Sequence, residues 1–354
     1  MRRELSSLRP PQLSADLAEI LALAGEDVRR FTGARMLVTG GTGFVGTWLL
    51  WSIVEANRRL GTRITVDVLS RNPEAFTGRE AEIVSSPGVR LIRGDVIDPL
   101  PVTAVYDAIV HAATPASAAL LADAPHIMLD TILRGSRNVA TIAERCGPIP
   151  MLFTSSGAVY GRVPTSIHAV DETYQGAPDP TDPRAAYQEG KRCGELICAI
   201  SAERTRGRAI LARLFAFVGP YLPLDRHFAI GNFLRDRLAV QPIAVAGDGT
   251  AIRSYLYASD MVVWLWAAFA RGDSRRAYNI GSEEAITIAE LSQRIAKIEE
   301  PLLDVRIDRQ TLPETIADRY VPSNQRIRKE LGVEQRVQLN ESLRRTLQFH
   351  RERR

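Results

Sequence analysis

Thr39-Gly40-Gly41-Thr42-Gly43-Phe44-Val45-Gly46 limits the choice of fold more than any other stretch of this 354-residue chain. A short apolar run, Arg35-Met-Leu-Val-Thr39, leads into it, and an amphipathic segment from about Val45 to Arg59 leads out. The glycines therefore lie where a strand becomes a helix. Glycine there permits a tight turn, lets a phosphate approach the backbone and lets the helix pack closely on the strand, while the helix N-terminus stabilises negative charge. A bare glycine-rich turn is common, but one flanked in this way predicts a dinucleotide site built on Gly40, Thr42, Gly43, Phe44, Val45 and Gly46.

Further short apolar runs at 64–69, 89–93, 108–111, 151–154 and 209–214 are separated by helix-length segments. That alternation predicts an α/β fold, a Rossmann-type doubly wound parallel sheet, over residues 35–220. Beyond Gly219-Pro220 turn residues become denser, and residues 221–354 are expected to form mainly a smaller, partly helical substrate lobe over the C-terminal edge of the sheet. Residues 1–34 read as an appended helix capped by Ser14. With 45% hydrophobic and 24% charged residues, the chain has an ordinary globular composition, which excludes disorder as its main character. Forty-five basic against 41 acidic residues give a charge of +4 without a basic stripe. Such a surface suits small anionic substrates and gives no sign of nucleic-acid binding. Three cysteines without CxxC spacing indicate neither a disulfide framework nor a metal site. No signal-like or membrane-length apolar segment is evident, so a soluble cytoplasmic protein is expected.

The end of the second strand should meet the adenosine ribose, where a carboxylate accepts from the 2′-hydroxyl and an arginine pairs with a 2′-phosphate. Here the sequence is Val68-Leu-Ser70-Arg71-Asn-Pro73, so Ser70 and Arg71 favour NADP over NAD. Asp67 is an uncertain acidic substitute, and Arg71 could instead cover adenine or lie in solvent. Asp95 and Val96 after the third strand, and Ala112, Ala113 and Thr114 after the fourth, are the next cofactor contacts expected of this architecture. Asp95 either accepts from the adenine amino group or closes a turn. His111 reads as a buried strand-end histidine rather than a catalyst.

Thr154-Ser-Ser156-Gly-Ala-Val-Tyr-Gly161 closes a strand, and Tyr187-Gln-Glu-Gly-Lys191 follows on a helix. A spacing of four puts the Tyr187 phenol and the Lys191 ammonium on one helix face. An ammonium there lowers the phenol pKa, so Tyr187 is expected to titrate well below a free phenol and to remove a proton from a sugar hydroxyl. Ser156 would hold the reacting oxygen. These three motifs together resemble the NAD-dependent epimerase/dehydratase family of the extended short-chain dehydrogenase/reductase superfamily, from about residue 35 to about residue 300. The resemblance implies an enzyme acting on a nucleotide-sugar, with Ser156, Tyr187 and Lys191 catalytic, Tyr187 and Lys191 also contacting the cofactor, and a homodimer as the assembly. It also implies that Arg213–Pro220 lines nicotinamide and substrate, that Asn232-Phe233 approaches the nucleotide, that Arg253 grips the diphosphate, and that Tyr278–Ser282 is a further family landmark.

The departures narrow the reaction. The 4,6-dehydratases of this family carry an Asp-Glu pair directly after the strand-end hydroxyl residue, and the sugar-nucleotide decarboxylases keep the Glu; here those positions are Gly157 and Ala158. Elimination of water needs an acid and a base that these residues lack. The small pair resembles the 4-epimerases, whose sugar turns over in the site, and it suggests room for that rotation. Thr131-Ile132 and Ala216 replace asparagines common in the family. The expected function is thus nucleotide-sugar epimerisation at C4. A dehydratase, drawing its acid and base from Glu189 or His227, or a 4-keto reductase is the alternative, and a cofactor-sensing binding protein is the non-enzyme one.

Overall fold

The computed structural model describes residues 9–99, 103–114, 118–225, 228–309 and 317–353. In its first half, α1 (Pro11–Arg29) precedes β1 (Arg35–Thr39), α2 (Phe44–Leu60), β2 (Thr65–Ser70), α3 (Pro73–Arg79), α4 (Ala81–Ser85), β3 (Val89–Arg93) and β4 (Ala108–His111). Then come α5 (Ala118–Asp123), α6 (Pro125–Cys146), β5 (Pro150–Ser156), α7 (Ala186–Thr205), β6 (Arg208–Leu214) and β7 (Ala216–Val218). The remainder comprises α8 (Ala229–Leu238), β8 (Ile243–Val245), β9 (Ile252–Arg253), β10 (Tyr255–Tyr257), α9 (Ala258–Arg271), β11 (Arg276–Ile280) and β12 (Ile286–Thr287). It ends with α10 (Ile288–Ala296), β13 (Val305–Ile307), β14 (Arg319–Tyr320), α11 (Gln325–Leu331) and α12 (Leu339–Glu352).

Seven strands form the central sheet in the order β11-β6-β5-β4-β1-β2-β3, all parallel. Strands buried on both faces read as continuous apolar runs, and Met36-Leu-Val38 and Ala108-Ile-Val110 are of this kind. The order reverses between β1 and β4, which opens a crevice at the C-terminal ends of those strands, where ligands of such sheets lie. A second core, including Phe233, Leu234, Ile243, Leu291, Ile295 and Leu343, unites α8, α10, α12 and the short strands beside the sheet. Thr287 caps α10 reciprocally with Glu290.

Two expectations change here. The stretch after residue 220 does not stay in one lobe, because β11 pairs with β6 at the sheet edge and α9, buried along almost its whole length, packs on the sheet. An apolar helix such as Val262-Val-Trp-Leu-Trp-Ala-Ala-Phe269 needs burial on every side, and the sheet face supplies it. The N-terminal helix begins at Pro11 rather than behind a Ser14 cap, since proline at the first helical position needs no N–H partner. Leu13, Leu17, Ile20, Leu21 and Val28 of α1 are buried, each contributing roughly 1.5–3 kcal/mol as an upper estimate. Three polar clasps add to this: Arg9 with Glu55 at 3.0 Å, Asp16 with Arg345 at 3.0 Å and the Tyr257 hydroxyl at 2.7 Å, and Asp27 with Arg271 at 2.7 Å.

Candidate active site

The glycine turn joins β1 to α2 as expected, and its backbone leaves no room for side chains at two places. Gly40 has φ +71°, and a Cβ there would lie 2.4 Å from the Ala112 carbonyl carbon. A Cβ on Gly46 would lie 2.3 Å from the Gly40 carbonyl oxygen. Thus Gly40 lets the turn pass under the end of β4, and Gly46 lets α2 start against the turn. The cradle suits a pyrophosphate at the α2 N-terminus, with Thr42, Gly43, Phe44 and Val45 at least partly exposed around it.

At the ribose end, Ser70 is buried and its Oγ accepts from the Asn72 N–H at 3.2 Å, while the Arg71 side chain is exposed. Asp67 is no substitute ribose reader. It is buried and accepts from Arg35, from Arg90 and from the Tyr106 hydroxyl, at 2.8, 2.7 and 2.9 Å. Arg79, which the sequence did not single out, reaches back from the end of α3 to donate to the Thr42 carbonyl at 2.8 Å. Asp95 accepts from the Ile97 N–H at 3.2 Å and so closes a turn. Val96 is buried against Gly135. His111 is buried between the Thr39 hydroxyl at 2.8 Å and Ser136, and burial, with the Lys191 charge adding, pushes its pKa down to about 3. It is neutral and structural, as its strand-end position suggested.

Ala112, Ala113 and Thr114 lead from β4 to Lys191, whose Nζ donates to Thr114 Oγ1 at 2.8 Å and to the Thr154 carbonyl at 2.6 Å. Lys191 is buried, and desolvation pulls its pKa to about 7, with Cys198 and Glu195 opposing. Its Nζ lies 5.9 Å from the centre of the Tyr187 ring. The expectation of a strongly acidified Tyr187 does not hold for the protein alone. Burial raises the phenol pKa, and only the Ser156 hydroxyl counteracts it. The ammonium is tied to β4 and β5 instead, and burial weakens its own hold on a proton.

Ser156 ends β5, where its Oγ accepts from the Ala158 N–H at 3.1 Å. The two small residues behind it differ. Ala158 lines a cleft of about 500 Å³ together with Arg162, Gln188 and Tyr320. Gly157 does not open space for a sugar: a Cβ there would lie 2.4 Å from the Phe215 ring, so the aromatic side chain already occupies it. Arg213 likewise turns away from the cleft, forming a bidentate pair with Glu195 at 2.9 and 2.8 Å and lying over the Tyr160 ring. Glu195 also accepts from Ser155 at 2.5 Å, so the seryl strand end and α7 share one buried ionic cluster.

Tyr320 was invisible to sequence reasoning. It arrives on β14, paired with β9, and places its hydroxyl 3.3 Å from Ser156 Oγ and 3.2 Å from the Leu214 carbonyl. Its ring packs against Phe215 at a tilt of 34°, with centroids 4.6 Å apart. Arg253 stands opposite Tyr320 in that pairing, its guanidinium held by Asp318 at 2.6 Å. Asn232 lies on α8, where its side-chain oxygen accepts from Arg235 at 3.2 Å. Ala216 packs on the second core, Thr131 is half-buried, and Ile132 fills the space beside Gly190, one residue before Lys191. Glu189 is half-buried next to Arg192 at 3.5 Å, and His227 lies outside the described residues. Among the described residues no group of three or more His, Cys, Asp or Glu side chains could hold a metal, and no helix is long and apolar enough to cross a membrane.

Comparison with known proteins gives this geometry a lineage. The chain is 32% identical over 325 residues to UDP-glucuronic acid decarboxylase 1 of Arabidopsis thaliana, covering 90% of this chain and 70% of the relative. An epimerase from Methanothermobacter thermautotrophicus superposes with a TM-score of 0.78 at 23% identity, over 94% of this chain and 96% of that one. UDP-glucuronic acid 4-epimerase from Bacillus cereus, solved with UDP-glucuronic acid and NAD, gives a TM-score of 0.75 at 19% identity, over 90% of this chain and the whole of that one. At these identities the two structures speak for the fold alone. The family model that matches residues 36–281 spans the glycine turn, Ser156, Tyr187, Lys191 and Arg253, and the chain accordingly belongs to the NAD dependent epimerase/dehydratase family of enzymes.

Proposed function

We propose that the protein is an NAD(P)-dependent nucleotide-sugar epimerase acting at C4. One observation carries the reading: Tyr187 lies against Ser156 and near Lys191, while the two positions after Ser156 bear no carboxylate. Tyr187 removes the proton of the C4 hydroxyl, and Ser156 hydrogen-bonds the same oxygen. The Gly40–Gly46 cradle would hold the dinucleotide, which would supply the hydride acceptor and donor for C4. Lys191 fixes Thr114 and the β5 backbone, and a bound oxidised cofactor would add the positive charge that the phenol needs beyond Lys191. Return of hydride to the opposite face of the 4-ketone inverts the carbon. Turnover of the sugar must use the cleft beside Ala158 and Tyr320, since Phe215 fills the side at Gly157. Ser70 and Arg71, with no free carboxylate at the β2 tip, support NADP over NAD.

A second reading, decarboxylation of a nucleotide-linked uronic acid, is favoured by the name of the Arabidopsis relative. It uses the same first step, because a 4-keto uronic acid is a β-keto acid and loses carbon dioxide without a further acid. NMR of the products in deuterated water, from a panel of UDP-, dTDP-, GDP- and CDP-sugars that includes UDP-glucuronic acid, separates the outcomes. An epimer without carbon-bound deuterium is expected. Deuterium at C5 with loss of C6 would establish the decarboxylase, and deuterium at C5 in a 6-deoxy product would establish a dehydratase.

A further inference from the structure

Ser156 and Tyr320 are hydroxyl neighbours whose other contacts constrain where their protons point. The Tyr320 hydroxyl has one proton and two oxygen neighbours, the Leu214 carbonyl at 3.2 Å and Ser156 Oγ at 3.3 Å. A carbonyl only accepts, so the tyrosyl proton goes to Leu214, and the second contact is a hydrogen bond only if Ser156 donates it. Ser156 Oγ also accepts from the Ala158 N–H. The seryl proton is therefore directed at Tyr320, and it lowers the Tyr187 pKa only to the extent that it turns to the phenolate instead.

We infer that Tyr320 is a positioning residue for the reaction: it holds the Ser156 proton away from Tyr187 in the open site and gives it up when an oxygen forms on the sugar. No covalent bond changes at Tyr320. As Tyr187 takes the C4 hydroxyl proton and the ketone forms, the new oxygen needs donors, and Ser156 supplies one by turning about its Cβ–Oγ bond. Tyr320 is well placed for this because it is fixed. Its ring packs on Phe215, its strand pairs with β9, and Val170 bridges to Pro322 two residues on. Burial raises the Tyr320 phenol pKa, so its proton stays on the Leu214 bond over the working range. The groups facing Tyr187 are Lys191 on its own helix, Ser156 from β5 and Tyr320 from β14; His111 and Glu195 stand behind Lys191.

The inference rests on Tyr187 being the base of the proposed function, and a titration separates the two. With NAD+ or NADP+ bound, tyrosinate absorbance near 295 nm is followed against pH, and the Tyr187→Phe curve is subtracted to isolate Tyr187. Tyr320→Phe keeps the ring contact but frees the seryl proton for the phenolate, so the Tyr187 pKa should fall by roughly one unit. Adding Tyr320→Phe to Ser156→Ala should then move it no further. A step unmoved by Tyr320→Phe, or moved equally without the seryl hydroxyl, overturns the inference and leaves Tyr187 as the base. Absence of any step belonging to Tyr187 overturns both.

Discussion

Gly46 and Gly157 both stand where a side chain would collide, yet they differ in what they would meet. At Gly46 the obstacle is backbone, the Gly40 carbonyl oxygen at 2.3 Å, within the same turn. At Gly157 it is the ring of Phe215, 58 positions away in the chain, at 2.4 Å. The first constraint is local and therefore written into spacing. The second is tertiary, and a residue that looks like vacant space in the sequence proves to be one half of a packing contact. Small residues thus mark close approach, while the identity of the approaching group has to come from the fold.

Alanine at the two glycines tests that contrast most directly. Gly46→Ala should cost about 3 kcal/mol or more and abolish cofactor binding, because backbone cannot move aside without dismantling the turn. Gly157→Ala should cost about 2 kcal/mol, leave cofactor binding intact and be partly rescued by Phe215→Leu. Urea melts of the single and double variants, with cofactor titrations, check both; equal penalties at the two sites would erase the distinction.

The ribose end extends the comparison, since Arg71 is an exposed cation rather than a packing constraint. Arg71→Ala should weaken NADPH by about tenfold, or 1.4 kcal/mol, and leave NADH nearly unchanged. Fluorescence titration with both cofactors reads the ratio, and equal losses would return Arg71 to covering adenine.

His111 sharpens the contrast from below the turn. Its folded pKa of about 3 lies beneath the usual imidazole value, so the unfolded chain takes up a proton that the folded one refuses as pH falls from about 6.5 toward 3. Its contribution to stability is thus lost on acidification, by about 1 kcal/mol between pH 7.5 and 5.5. His111→Gln should flatten that part of the profile in thermal melts. An unchanged slope would mean that the acid sensitivity lies elsewhere.

Legibility in the sequence followed the same division. Strands β1, β3 and β4 begin and end where their apolar runs do, and Tyr187 and Lys191 share a helix face because a spacing of four is a short-range device. Asp67 looked like a spare carboxylate until Arg35, Arg90 and Tyr106 closed around it from three elements or their flanks. Tyr320 gave only the signal of an aromatic residue two positions before Pro322, and Arg253, already of interest, proved to be its strand neighbour. The return of β11 to the sheet was hidden because Arg276–Ile280 follows a long mixed stretch, and only pairing with β6 reveals its layer.

The clasps on α1 bear on the order in which the molecule is assembled. Asp16 is bound to Arg345, 329 positions later, and Asp27 to Arg271, 244 positions later. During synthesis this helix leaves the ribosome before its partners on α9 and α12 exist. Loop closure over such separations is slow, and domains made from the N-terminus forward protect early apolar surface only when later segments arrive. Leu13, Leu17 and Ile20 can settle early against α2, but their full burial waits for α9 and α12. A helix made long before α9 and α12 is thus among the last pieces to be locked.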